Sequence, residues 1–463
     1  MIYKIFSICI LLLISISIKA QTKHEKLDSV FTLLHQNNRF NGSILIAENG
    51  TPIFKKSYGF ANVEQQELLT NNSIYKLNSI TKQFTAMGII ILKNKGKLKL
   101  TDNLSKFIPE LNFYKNVTIL HLLNHTHGIP DYDNLFNEKW DKKNIADNKD
   151  IIKLYKEYKP TKRFNPGEKF YYGGIGFELL AVIIERVSNN SYYDFIKENI
   201  FSQLKMENTF DYHGFENKPI EKNVAIGYIY SDSLKKHERP ELLVKKTEIT
   251  WSKGVYGSGN IHTTTSDMLK WDRALYDTNF VSKQDLKILF QSTKLNNGEY
   301  INYGFGWWVI EKKDIGRVVY HAGNSNGFET HFERHLEKDK TIVILQNFDA
   351  TTPAIDVINA VLYNKPIDFI VSRKEIKLSE DLLKQYEGRY FINEEFSFNV
   401  FVKNSILFAQ LSGQSAIKLN AESEDNFFVK KVDVQFKFVR DSSSKVIQMN
   451  IFQNGNKMEA IKK

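Results

Sequence analysis

The segment Ser79-Ile80-Thr81-Lys82-Gln83-Phe84-Thr85-Ala86-Met87-Gly88-Ile89-Ile90-Ile91-Leu92-Lys93 starts with a serine and a lysine three residues apart. It then runs apolar until the stop at Gly96. On a helix, positions i and i+3 share a face, so Lys82 projects its amine beside the Ser79 hydroxyl. A serine hydroxyl is a poor nucleophile until such a neighbour takes its proton. Free N–H groups at a helix start also favour developing negative charge. The spacing alone says little, because Ser73/Lys76, Ser202/Lys205, Ser233/Lys236 and Ser442/Lys445 repeat it. Context separates them. Only Ser79 opens a segment both long and apolar around much of its circumference, which predicts a buried helix. A lysine at the mouth of such a helix is shielded from bulk water, which favours its proton-accepting form. Ser73 precedes a short extended run, Ser202 ends a helix, and Ser233 and Ser442 sit in polar loops. The plainer alternative for Ser79 is a helix N-cap.

Outward from this segment, helical spacing over 27–35 precedes two strand-like runs, 42–47 and 52–58, joined by the turn Glu48-Asn49-Gly50-Thr51. From about 79 to 276 the pattern is mostly helical, broken at Gly96, Gly128-Ile129-Pro130, Asn165-Pro166-Gly167 and Ser188-Asn189-Asn190. Strand-like runs return at 317–321, 328–334 and 341–346, and a helix over about 354–363 follows. Strands at both ends with helices between predict an α/β architecture: one sheet built from distant segments, with an inserted helical subdomain. From about Lys374 the texture changes to alternation, as in Phe396/Phe398/Val400/Val402, Val432/Val434/Phe436/Phe438 and Ile447/Met449/Ile451. This predicts a small antiparallel barrel or sandwich.

The chain has 463 residues, 42% hydrophobic and 25% charged, an ordinary globular balance that excludes wholesale disorder, collagen and coiled coil. A single cysteine, Cys9, excludes a disulfide scaffold, a thiolate zinc site and an iron–sulfur cluster. It lies in a leader-like start: Lys4, an apolar run from Ile5 to Ile18, then Ala20 before Gln21. That is the pattern of a cleaved secretory signal peptide over 1–20, giving a periplasmic or secreted chain with no membrane span after cleavage; an uncleaved anchor is the lesser reading. The formal net charge of +10 is spread among interspersed acids, with no block of like charge. It reads as a lysine-rich solvated surface, with attraction to an anionic envelope polymer as the alternative, and no nucleic-acid partner is expected.

Two further constellations stand out. His321-Ala322-Gly323 ends a strand-like run and is followed by Asn324-Ser325-Asn326-Gly327-Phe328. An edge strand there could line a cleft and donate an N–H to an oxyanion. A lone histidine in that setting is more often a surface or supporting residue. The loop Asn165-Pro166-Gly167-Glu168-Lys169-Phe170-Tyr171-Tyr172-Gly173-Gly174 could present a tyrosine to a cleft as a proton relay. By itself it would be an ordinary loop aromatic.

In this order along the chain, and with Gly96-Lys97-Leu98-Lys99-Leu100-Thr101-Asp102, His121-Leu122-Leu123-Asn124-His125-Thr126 and Tyr303-Gly304-Phe305-Gly306-Trp307, these motifs resemble the serine β-lactamase and penicillin-binding-protein superfamily. The closest branch is the class C-like, β-lactamase-related serine hydrolases. The tail is similar in texture to the lipocalin-like barrel that many relatives carry. The resemblance implies domains over 21–373 and 374–463. It makes Ser79 the acylated nucleophile, Lys82 its base and Tyr172 the second motif's tyrosine. His321 replaces a lysine common at the third motif, followed by Gly323, and the N–H groups of Ser79 and Asn324 form the oxyanion hole. It implies no cofactor, and a small-molecule or peptide substrate, cell-wall derived in many relatives: an ester, a D-amino-acid peptide or a peptidoglycan stem, as for an esterase, D-aminopeptidase or D-Ala-D-Ala carboxypeptidase. One departure matters. The second motif normally ends Tyr-x-Asn, and Gly174 occupies the Asn position, which argues against peptide-like and lactam recognition. His121, His125, His127 and Asp131 superficially resemble the His-x-His-x-Asp-His signature of metallo-hydrolases. The acid is misplaced and no histidine follows it, so no metal site is expected. The rival reading is a non-catalytic envelope protein that holds peptides or muropeptides in the same cleft. Trp251, Tyr256, Trp307 and Trp308 read as packing residues, some of them beside the cleft.

Overall fold

In both Gly42–Glu48 and Lys340–Gln346 the side chains are apolar on both faces of the strand, which requires a sheet covered on both sides. The computed structural model describes residues 21–211, 222–349, 355–365, 375–393, 396–412, 414, 416–429, 434–453 and 456–463. The expected leader, including Cys9, and the expected boundary between 373 and 374 lie outside them.

These strands belong to a six-stranded antiparallel sheet in the order Trp308–Lys312, Gly316–Ser325, Phe328–His335, Lys340–Gln346, Gly42–Glu48, Thr51–Tyr58. The amino-terminal hairpin is thus zipped onto the late strands, from Gly42 opposite Gln346 to Glu48 opposite Lys340. Alternation then sorts the side chains. Ile44, Ile46, Ile342 and Ile344 pack beneath the helices Lys23–Gln36 and Ile355–Leu362. Leu45, Ala47, Val343 and Leu345 join the larger core of the helical body. Each fully buried side chain of this size contributes roughly 1.5–3 kcal/mol.

The helix Thr81–Asn94 is buried from Thr81 to Ile90, as its all-round apolar sequence predicts, and packs against Ile175–Ser188. The region between the two halves of the sheet is less purely helical than its pattern suggests. Tyr75–Lys76, Ile261–Thr263 and Phe210–Asp211 form a small three-stranded sheet. Its strands are only two or three residues long, too short for alternation to register in the sequence. Among the described residues no helix is long and apolar enough to cross a membrane.

At the carboxyl end eight strands, from Gly388–Phe391 to Asn456–Lys462, close a barrel where Tyr390 and Phe391 pair with Lys462 and Ile461. Its interior is filled by its own side chains, among them Tyr386, Tyr390, Phe398, Phe436, Phe438 and Met449. One detail departs from the simple alternation. Val439 pairs with Gln448 and Arg440 with Val446, so Ile447 is the extra residue of a β-bulge. Val446, Met449 and Ile451 therefore point inward while Ile447 stands exposed.

Candidate active site

Ser79 lies in a single 3-10 turn, Asn78–Ile80, immediately before the helix Thr81–Asn94. It caps nothing, so the N-cap alternative does not describe it. The turn is forced: Asn78 has φ of 51°, a left-handed conformation that asparagine tolerates better than most residues. Its side-chain amide donates to the Phe328 carbonyl at 3.3 Å, and Thr330 Oγ1 donates to the Leu77 carbonyl at 2.9 Å. Both anchors belong to the sheet. Gly323 makes the approach possible, since a Cβ there would lie 2.3 Å from the Leu77 carbonyl oxygen.

Lys82 is 3% exposed. Its Nζ lies 3.1 Å from Ser79 Oγ and donates to the Ser258 carbonyl at 3.2 Å. The Tyr172 ring centroid is 5.1 Å from the same Nζ, and the Tyr172 hydroxyl reaches His321 Nε2 at 3.5 Å. The structure thus brings Ser79, Lys82, Tyr172 and His321 into one cleft from distant parts of the chain. Tyr171 is exposed, stacked on Arg163 instead.

His321, Gly323 and Asn324 lie on Gly316–Ser325. This is not an edge strand along its whole length. Its neighbour Trp308–Lys312 ends opposite Tyr320, and the open edge begins only at His321. The hairpin turn Asn326-Gly327, with φ of 49° and 83°, closes on the pair Ser325 and Phe328. In a two-residue hairpin that closing pair exchanges hydrogen bonds, and the pattern alternates. Asn324, one residue on, therefore turns its N–H away from the partner strand and toward the open edge. Ala322 and Asn324 are exposed while His321 and Gly323 are buried.

A directional hydrogen-bond chain backs the cleft. Gly173 N–H donates to His125 Nδ1 at 3.5 Å, which leaves the His125 proton on Nε2, 3.2 Å from the Tyr303 hydroxyl oxygen. Tyr303 passes its own proton toward His321 Nε2 at 3.3 Å, and His321 Nδ1–H donates to the Ala322 carbonyl at 2.6 Å. Burial, with the Lys82 charge second, pushes His321 down to about 3, and burial holds His125 far below its usual value. Both imidazoles are neutral at physiological pH. Trp308 completes an aromatic wall, its ring stacked 6.4 Å from Tyr172, whereas Trp307 is core.

His121, His125 and His127 face separate partners: Thr118, Tyr303 and the Ile129 N–H. Asp131 instead accepts the Gly174 and Ile175 N–H groups, both at 3.1 Å, at the start of the helix Ile175–Ser188. Three groups of this cluster escaped the sequence reading: the Ser258 carbonyl, the Tyr303 hydroxyl and the Glu178 carboxyl. Only Glu178 left a local signal, a lone acid among Phe177, Leu179 and Leu180 in the apolar first turns of its helix.

Comparison with known proteins gives a match to the Beta-lactamase family model over residues 27–362. Penicillin-binding protein 4* of Bacillus subtilis (strain 168) is 33% identical over 451 residues, covering 96% of this chain and 99% of that protein. Among solved structures, the octameric penicillin-binding protein homologue from Pyrococcus abyssi superposes with a TM-score of 0.65 at 24% identity, over 94% of this chain and 99% of that one. The D-amino acid amidase from Ochrobactrum anthropi SV3, complexed with L-phenylalanine amide, gives 0.58 at 20% identity, over 73% and 99%.

Proposed function

The chain belongs to the Beta-lactamase family of serine hydrolases, and from that footing we propose that it is an exported hydrolase that cleaves an ester or amide through a Ser79 acyl-enzyme. The observation that carries this is the Lys82 Nζ contact with Ser79 Oγ at 3.1 Å in a buried setting. The Ser258 carbonyl takes one N–H of Lys82, which holds Nζ against the Ser79 hydroxyl. Lys82 accepts the Ser79 proton as Oγ bonds to the substrate carbonyl carbon, and the carbonyl electrons move onto oxygen. The outward N–H of Asn324 and that of Ser79 hold this oxyanion. The tetrahedral intermediate collapses, the proton reaches the leaving alcohol or amine by way of Tyr172, and water later releases the acid. His321 is not the proton donor in this scheme, because its one N–H is spent on Ala322 and its Nε2 accepts.

Neutral His321 also bears on the substrate. It offers no cation to a substrate carboxylate at the position where relatives carry lysine, and Gly174 offers no side-chain amide. Both favour small esters and amides of D-amino acids over β-lactams and carboxylate-ended stems. The amidase neighbour is named for that kind of substrate. Incubation of the chain from Gln21 onward with a fluorophosphonate and a fluorescent penicillin, followed by intact mass, tests the reading. Labelling is expected, and its loss in Ser79→Ala assigns the site. If neither probe labels folded protein, and p-nitrophenyl esters, D-amino acid amides and D-Ala-D-Ala peptides all survive, catalysis is wrong and peptide holding without turnover, which Gly174 favours, replaces it. Export predicts a mature amino terminus at Gln21 outside the cytoplasm, read by terminal sequencing.

A further inference from the structure

The place left by the missing asparagine is not empty. A Cβ at Gly174 would lie 2.7 Å from Glu178 Oε1 and 3.6 Å from Oε2, so a side chain there would compete with a carboxyl already standing in that place. That carboxyl comes from the next turn of the same helix: helical side chains lean toward the amino terminus, and i+4 reaches back over i. Glu178 is 1% exposed. Its Oε1 accepts from the Ser258 hydroxyl at 2.9 Å and from the Tyr132 hydroxyl at 3.1 Å. Its Oε2 is buried and makes no hydrogen bond among the described residues. Ser258 is also the residue whose carbonyl receives Lys82.

We infer that Glu178 substitutes for the asparagine of the second motif as a positioning residue, holding the Ser258 carbonyl against Lys82 and thereby aiming the Lys82 amine at Ser79. The inference rests on the hydrolase reading above. Its chemistry depends on the charge state. Burial first, and the Asp131 charge second, push Glu178 up to about 8. An uncharged carboxyl offers one O–H donor and one C=O acceptor, nearly the complement of an amide. The ionised form would instead draw the Lys82 Nζ toward itself and away from Ser79. The groups acting on it are Lys82 from the Thr81–Asn94 helix, Asp131 and Tyr132 from the preceding loop, Ser258 from its own loop, and Tyr155 from the helix Asn148–Tyr158.

The rate of Ser79 phosphonylation by the fluorophosphonate, with fluoride leaving, followed against pH, tests this. Glu178→Ala is expected to slow that reaction about 100-fold, the scale of a misplaced reacting group. Glu178→Gln should recover most of that loss and lack the fall in rate that wild type shows as pH rises through about 8. Gly174→Asn alone should be slow, because two groups compete for one place, and Gly174→Asn with Glu178→Ala should be faster than either single variant. Wild-type rates in Glu178→Ala overturn the inference. So does an unchanged alkaline fall in Glu178→Gln, or a double variant no faster than Gly174→Asn. If Glu178→Ala does not fold, the glutamine and double variants decide. Absence of Ser79 labelling in wild type would instead sink the hydrolase reading itself.

Discussion

Lys82 and Ser79 owe their contact to helical spacing, but five other serine–lysine pairs in the chain have that spacing too. What distinguishes this pair is burial and the Ser258 carbonyl, 176 residues away in sequence. A Lys82→Ala variant should retain its fold, since only Ser79 and Ser258 lose a hydrogen bond, and should acylate roughly 10²–10⁴-fold more slowly. An acylation rate equal to wild type would remove Lys82 from the base role. Tyr303 makes a different kind of contribution. Its hydroxyl is the link between two neutral imidazoles, so Tyr303→Phe strands the His125 Nε2–H in a buried site and leaves His321 Nε2 only the longer contact with the Tyr172 hydroxyl. The expected cost is about 1–3 kcal/mol of stability, measured by urea unfolding. Ser79, Lys82, Tyr172, His321 and Asn324 were legible as candidates because each sits in a local motif. Ser258 and Glu178 were not, because their work is done across the fold.

Gly316–Ser325 and the Asn78–Ile80 turn meet with no room for a side chain between them. Gly323→Ala must push the strand from the turn, because the new Cβ would overlap the Leu77 carbonyl. Asn324 and Ser79 would then move apart, so acylation should fall by at least tenfold while the circular dichroism spectrum is kept; normal acylation would refute the strand–turn register as the source of the oxyanion hole. On the same face of the sheet as Thr330, Arg334 at 1% exposure donates from Nε to Asp272 at 2.6 Å, with Asp272 itself fully buried. Arg334→Met leaves Arg273 as the remaining cation beside that carboxylate. Removal of one partner from such a pair is expected to cost about 3–5 kcal/mol, less whatever Arg273 retains, read as a lowered unfolding midpoint. The runs 42–47, 52–58, 317–321, 328–334 and 341–346 were readable as strands from alternation and turn residues, whereas Trp308–Lys312 and the short three-stranded sheet were not. The bulge at Ile447 was not, because an extra residue shows only against the strand it faces.

Across the chain, the buried titratable groups set a pH window. His127, His262 and His321 are pushed down to about 3 by burial from a usual 6.5, and His125 is lowered as well. The unfolded chain binds more protons than the folded one in that range, so their stability is present above pH 6.5 and is lost as pH falls toward 3. Glu178 and Glu329 are raised to about 8 from a usual 4.5, chiefly by burial. Their contribution is full below pH 4.5 and is lost as pH rises through 8. Unfolding by urea should therefore show greatest stability near pH 6.5, falling on both sides; a flat profile from pH 4 to 9 would contradict the buried placement of these groups. The architecture and the first members of the site were legible along the chain, because periodicity, turns and motif spacing are relations between near neighbours. The chain alone foretold one sheet assembled from its distant segments, a buried helix behind Ser79 and an alternating tail. Which hydroxyl orients His321, which carbonyl holds Lys82 and what fills the space beside Gly174 followed from folding, because those contacts join residues 18, 176 and 80 positions apart or reach back along a helix turn whose partners arrive from elsewhere.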